Sequence, residues 1–306
     1  MKQLRGAERL SLIGHVVSMV FGLAGIMLVL PSVQFQTKLA QFEWGPTILS
    51  WSMAGGGVVY MLLGTLAVAL YARRTIGPWH WLSFMIPAIA ISLSSELLGT
   101  STGFPFGYYR YLSGLGYKIA GLVPFTIPLS WFYVGFSAYL IARAGLSTTA
   151  MQPWLRQLSA IAFGSLCLTS WDFVLDPGMS QAAIPFWIWE QPGVFFGMPY
   201  QNFAGWLGTG ALFMGVAAIL WRVKPLQLPE NDLELPLAIY LTNFAFATIL
   251  SWGAGIYPPV FLGVMLGVFP ILVLYETAKK PTITTVQTDL DPPKVPVAAS
   301  MGVVRQ

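Results

Sequence analysis

Eight apolar runs of roughly twenty residues dominate the sequence, each long enough to cross a hydrocarbon core as an α-helix. They lie near residues 11–30, 48–71, 79–98, 122–143, 157–176, 203–222, 236–253 and 256–275, with Gly253, Ala254 and Gly255 alone between the last two. Composition agrees, since 56% of the 306 residues are hydrophobic and 9% are charged, a balance far from that of a soluble domain. The expected fold is therefore an all-α polytopic membrane helix bundle of about eight transmembrane helices.

Charge placement tests that count independently of hydropathy. With the N-terminus in the cytoplasm, the inner segments hold Lys2, Arg5, Arg9, Arg73, Arg74, Arg143, Arg156, Arg222, Lys224, Lys279, Lys280, Lys294 and Arg305, and the outer ones keep Lys38, Arg110 and Lys118. An odd number of spans would mix the two sets, so both termini are expected to be cytoplasmic. The net charge of +4 needs no nucleic-acid partner to explain it. The N-terminal segment resembles a signal peptide in its basic start, but its apolar run continues to Leu30 without a small-residue cleavage site, and a retained first helix is expected. Residues 1–278 form the expected transmembrane domain. The polar, proline-rich stretch 279–306, with Asp291, Pro292 and Pro293, reads as a disordered cytoplasmic tail. Cys167 is the single cysteine and falls inside a span, so a disulfide framework and a thiolate metal site are excluded.

Two outer segments, 99–121 and 177–202, are long, nearly free of charge and crowded with Gly, Pro, Phe, Tyr and Trp. A solvated loop would be polar, so these are expected to fold back against the bundle and roof a cavity. A weak internal repeat points the same way. Glu96 is followed by Pro124, Phe125 and Trp131, and Asp172 by Pro199, Tyr200 and Trp206, at almost equal spacing. Each proline suits the first turn of the next helix, and the two acids should sit at matched depth across a pseudo-twofold.

Ionisable residues inside the spans are the most informative, because a charge there is costly unless it faces a partner or water. Glu96 lies near the outer end of the third span; Asp172 and Asp176, four apart and on one helical face, lie near the outer end of the fifth. Glu276 reads as a solvated helix end beside Lys279 and Lys280. The plain alternative for the first three is an interfacial carboxylate, or one paired with Arg110 or Lys118. Three carboxyl groups beneath an aromatic roof suggest acid and base chemistry on an apolar substrate, one group delivering a proton and a neighbour receiving one. An isoprenoid alkene is a fitting target: its protonation gives a tertiary cation that aromatic faces stabilise, and activated water traps it as a tertiary alcohol. Tyr108, Trp131 and Trp206 are candidate cavity walls. Asn202 and Gln201 are candidates to orient the water or cap a helix, and Arg110 to tune Glu96 or anchor its loop.

The stretches ELLGTSTGFPFGYYRY (Glu96 to Tyr111), GLVPFTIPLSWF (Gly121 to Phe132), WDFVLDPGM (Trp171 to Met179) and GVFFGMPYQNFAGW (Gly193 to Trp206) resemble the carotenoid hydratases, which add water to the acyclic end of γ-carotene or of bisanhydrobacterioruberin. The resemblance covers the central half of the chain. It implies hydration of a monocyclic or acyclic carotene at its ψ-end, without a cofactor, in the plasma membrane or thylakoid of a carotenoid-making bacterium such as a cyanobacterium, with room for association with other enzymes of that pathway. It assigns no residue roles.

Hydration fits the residues better than oxygenation, because iron oxygenases need clustered His and carboxylate ligands. The two histidines are His15 in the first helix and His80 between Trp79 and Trp81 at the inner end of the third, where an interfacial role is expected; no metal site is expected. Gly55, Gly56 and Gly57 read as close-packing positions between helices. The other enzyme classes are a lycopene-cyclase-like enzyme, which would use the same acid and aromatic box without water, and a prenyltransferase, for whose Mg²⁺ sites Asp172 and Asp176 supply at most half of one. A carotenoid-binding or transport protein is the non-enzyme alternative.

Overall fold

Each long apolar run folds as helix, and three of these helices, Gly45–Thr75, Gly77–Thr102 and Pro153–Ser180, overrun their runs at both ends. The computed structural model describes residues 2–182, 185–191, 193–228 and 232–279, so the tail expected at 279–306 lies outside the described residues from position 280 on. Helix α1 (Lys2–Ala24) continues through a π-helical turn, Gly25–Val29, and a short α2 (Val33–Ala40) leads into α3 (Gly45–Thr75) and α4 (Gly77–Thr102). Strands β1 (Tyr109–Tyr111), β2 (Lys118–Ile119) and β3 (Val123–Pro124) precede α5 (Thr126–Ser147) and α6 (Pro153–Ser180). Strand β4 (Trp187–Trp189) is followed by α7 (Tyr200–Leu220), α8 (Glu234–Gly253), α9 (Pro258–Gly263), a second π-helical turn at Val264–Val268, and α10 (Phe269–Ala278).

Seven helices among the described residues are long and apolar enough to cross a membrane. The eighth expected span, α5, is of spanning length but less apolar, and almost every one of its residues is buried. A helix enclosed by protein has no lipid to satisfy and can carry Ser130, Tyr133, Ser137 and Tyr139 where its neighbours carry Leu and Val. It packs against α3, α4, α6, α8 and α10 and is the axis of the bundle.

Proline starts α3, α4 and α6 within the first turn, where its missing N–H would have had no partner. The two prolines of the internal repeat behave otherwise: Pro199 is the N-cap residue of α7 and Pro124 belongs to β3, just before α5. Both therefore precede their helices, held by the loop strands.

One end of the bundle, here called the base, is closed by ionic contacts. Arg74 at the end of α3 donates to Glu8 of α1 through Nε (2.6 Å) and Nη2 (2.9 Å), and to Asp232 before α8 through Nη1 (2.7 Å). His80 is buried at this end, contrary to the interfacial position expected of it, because Ile76 O and Lys224 O face its two ring nitrogens and Trp221 meets its edge. His15 is also buried, its ring between Tyr60 O (2.6 Å) and the Asn243 amide (3.0 Å).

The other end carries the loops, and there the two aromatic segments do more than fold back. Strands β1 and β4 pair antiparallel, with Tyr109 opposite Trp189, Arg110 opposite Ile188 and Tyr111 opposite Trp187. The roof is thus a two-stranded ribbon made by both loops together. The expected glycine packing is also redirected: a Cβ on Gly57 would come within 2.5 Å of the backbone oxygen of Gly114, so Gly57 admits the roof and not a neighbouring helix.

The base clasp and the ribbon differ in burial, which sets a first prediction. Arg74→Gln is expected to lower stability in thermal unfolding of the detergent-solubilised protein by about 1–3 kcal/mol, since it strips the buried Glu8 carboxylate of its charged donor. Arg110→Gln, which breaks an exposed pair with Glu190, should cost less than about 1 kcal/mol.

Candidate active site

The alternation of strand β1 decides what hangs beneath the roof. Successive side chains of a strand point to opposite faces, so Tyr109 and Tyr111 turn inward together while Arg110 turns out. Opposite them on β4, Trp187 and Trp189 hang from the same ribbon. All four reach carboxyl groups of the bundle.

Glu96, inside the last two turns of α4, accepts from both phenols at Oε2, from Tyr111 at 2.9 Å and from Tyr109 at closer range, while its Oε1 accepts from the indole N–H of Trp131 at 3.0 Å. Burial pushes both phenols well above the usual tyrosine range, with the neighbouring Glu96 adding to the effect, so they stay protonated and donate. Asp176, inside the last turns of α6, accepts from Trp187 at Oδ2 (3.0 Å) and from Trp189 at Oδ1 (2.8 Å), and Ser180 approaches Oδ1 at 3.4 Å. Asp172, one turn earlier on the same face, accepts at Oδ2 from the Asn202 amide (2.7 Å). Its Oδ1 has no hydrogen-bond donor among the described residues.

The three carboxyl groups, each 2–3% exposed, line one pocket of about 520 Å³, its mouth included. Trp171, Trp206, Asn202 and the four ribbon aromatics complete the polar part of the wall, and Met61, Ile127 and Leu175 the apolar part. The two tryptophans of the internal repeat stack on one another, Trp131 on Trp206, with ring centres 3.8 Å apart and planes inclined by 17°. Trp206 lines the pocket, and Trp131, expected as a wall, stands behind it as a donor to Glu96.

The structure therefore brings together Glu96, Asp172, Asp176, Trp131, Trp206 and Asn202. It places two expected residues elsewhere. Tyr108 is half exposed, with its ring over Gly103, and Arg110 pairs with Glu190 Oε1 at 3.0 Å on the outer face of the ribbon; strand pairing turns both away from the pocket. The pairing of Glu96 with Arg110 or Lys118 is likewise replaced, since Lys118 donates to the backbone oxygen of Tyr111 at 2.6 Å. Gln201 closes the end of α4 by donating to Gly103 O (3.1 Å) and does not face the pocket. The residues that the sequence reading missed are Tyr109, Tyr111, Trp187 and Trp189. Their signal was the period-two pattern of YRY and WIW, aromatic on either side of a residue that faces out.

The sequence profile of the carotenoid biosynthesis protein family matches residues 56–270, which include every residue of the acidic pocket. The chain belongs to this family. A bisanhydrobacterioruberin hydratase from the archaeon Haloarcula japonica (strain TR-1) is 37% identical over 156 residues, covering 50% of this chain and 51% of that protein, so the alignment spans about half the length of the relative. No solved structure matches the chain. In this family member the profile begins within α3, leaving α1 outside it.

The inward and outward aromatics separate cleanly by substitution. Tyr109→Phe and Tyr111→Phe each remove a donor from a buried carboxyl group and are expected to destabilise the protein by about 1–3 kcal/mol in thermal unfolding. Tyr108→Phe should stay within about 0.5 kcal/mol of the parent protein.

Proposed function

We propose that this family member is a carotenoid hydratase that protonates the terminal alkene of an acyclic carotene end and traps the cation with water. The observation that carries the reading is the unequal treatment of three carboxyl groups in one pocket. Glu96 accepts from three donors and Asp176 from two, in each case on both oxygens, an arrangement that suits an anion. Asp172 lines the same pocket and has one oxygen without such a donor, which suits a group that carries a proton and gives it up.

In the proposed reaction Asp172 is the general acid. Its O–H bond breaks as a C–H bond forms at the less substituted alkene carbon, and the π electrons leave a tertiary cation at the other. The faces of Trp206 and Trp171 and the charges of Glu96 and Asp176 oppose that cation. Water adds its oxygen to the tertiary carbon, the ionised pair takes the proton released, and exchange with water returns a proton to Asp172. The product is a tertiary alcohol heavier than the substrate by one water. The substrate class is supported by the family and by the relative's name; the hydro-lyase chemistry, its independence of any cofactor and the bacterial membrane facing its basic base to the cytoplasm are parts of the proposal.

The experiment is expression in a carotene-producing host followed by mass analysis of the pigments. Asp172→Asn is expected to lower product by about 10²–10⁴-fold, the usual weight of a general acid, with the protein still inserted in the membrane. Oxygen-labelled water should label the alcohol. A product of unchanged mass would favour cyclisation, and label arriving from O₂ would end the hydratase reading.

A further inference from the structure

The acidic pocket is too small for a whole carotenoid, so the structure must house the rest of the molecule elsewhere. A second cavity of about 630 Å³, its mouth included, adjoins it, and Tyr60 and Met179 line both. Its walls come from the loop-end halves of α1 and α3, from Phe246 of α8 and from Leu115 and Phe186 of the loops, and no charged side chain is among them.

This slot is built into the way α1 and α3 meet. Toward the base they are in close contact: a Cβ on Gly64 would lie 2.9 Å from the ring of His15, and one on Gly14 would lie 3.0 Å from Leu63. Toward the loop end they part. At Gly22 and Gly56 an added Cβ would meet nothing within 4 Å, and at Gly25 only the Ser52 hydroxyl at 3.9 Å. The π-helical turn Gly25–Val29 of the first span lies at this level and supplies Gly25 and Ile26 to the wall; such turns interrupt α-helices at functional sites. Glycines that lie against no neighbour, at the edge of a cavity, keep space open for something that is not protein.

We infer that the slot between α1 and α3 is the binding site of the substrate's conjugated polyene, which lies along the glycines and passes Tyr60 and Met179 to put its terminal alkene among the carboxyl groups. The inference rests on the hydratase reading for the identity of the tip, and on the geometry alone for the path. A wall without charge, whose side-chain polar groups are the Ser52 and Tyr60 hydroxyls, suits a hydrocarbon rod that offers nothing to hydrogen-bond. The two cavities share Tyr60 and Met179 as walls, so a rod seated in the slot has its end beside the carboxyl groups.

The test uses the full chain in lipid nanodiscs with two probes: γ-carotene, and geranylacetone, a short isoprenoid ending in the same dimethyl-substituted alkene. Gly22→Leu and Gly56→Leu fill the slot; Gly208→Leu, at an exposed glycine of α7 with nothing near its Cβ, is the control. Each slot variant is expected to lower the ratio of γ-carotene to geranylacetone turnover by at least about tenfold, through KM for γ-carotene, and Gly208→Leu to leave the ratio where it was. An unchanged ratio in the slot variants, or equal loss on both probes, overturns the inference. Binding separates the slot from the chemistry. Titration of γ-carotene into Asp172→Asn, read by the shift of its absorption bands, reports occupancy without turnover. Loss of that binding on adding Gly56→Leu supports the slot even if the parent protein adds no water; binding indifferent to Gly56→Leu sinks it whatever reaction the pocket performs.

Discussion

A carboxyl group out of water must be given hydrogen-bond donors, and this bundle is arranged around giving them to three. Inside a membrane there is no solvent to supply the deficit, and helices alone cannot, because their backbone N–H groups are spent on their own carbonyls. The donors have to be side chains: Trp131 and Asn202 come from neighbouring helices, and the other four are brought in from the loops. That requirement explains why the loop end holds a β-ribbon at all: pairing β1 with β4 places two phenols and two indoles at fixed positions above Glu96 and Asp176. It also explains the aromatic content of the loops. Tyr and Trp bring an apolar body that belongs in the site and a single polar tip that reaches the carboxylate.

The arrangement is asymmetric among the three acids. Two acids are held by several donors and the third by one amide, although Asp172 and Asp176 share a helix face. Local sequence cannot account for the difference, since both are aspartates in an apolar helix one turn apart. It arises from what lies opposite: Asp176 faces the ribbon, and Asp172 faces the start of α7, where Asn202 is the residue within reach. The stacked pair Trp131 and Trp206 fixes that opposition, because it locks the start of α5 against the start of α7 and so sets how far each helix stands from the acids.

The helices were legible in the sequence because hydropathy over twenty residues is a strong, local signal. Glu96, Asp172 and Asp176 were legible for the same reason, as charges where charges are costly. The internal spacing of Pro and Trp anticipated two equivalent helix starts, and the stack of Trp131 on Trp206 is their meeting point. The roof was legible only as composition. Its pairing joins residues 109–111 to 187–189, a contact between distant segments of three residues each, and no periodicity over so short a stretch announces its partner. Sequence leaves Tyr108 as a candidate wall and Arg110 open between tuning Glu96 and anchoring its loop for that reason: the two inward tyrosines and their outward neighbours are adjacent in sequence, and only the strand's register tells them apart. His80 was misjudged because its partners are backbone carbonyls, one of them far along the chain, which sequence does not display.

Conformation and chemistry meet in the relation between α1 and α3. The close contact at Gly14 and Gly64, with His15 buried beside Asn243 and Tyr60, holds these two helices together at mid-depth and near the base, where Arg74 closes the bundle on Glu8 and Asp232. A pair of helices fixed at one end and parted at the other makes a slot without weakening the whole, because the packing that stabilises it is remote from the space it leaves. The same division keeps water management simple. The acidic pocket is lined by groups whose hydrogen-bonding capacity is largely taken up by protein, and the slot beside it offers water only the Ser52 and Tyr60 hydroxyls among its side chains, so the second carboxyl oxygen of Asp172 stands out as the one left without a donor among the described residues.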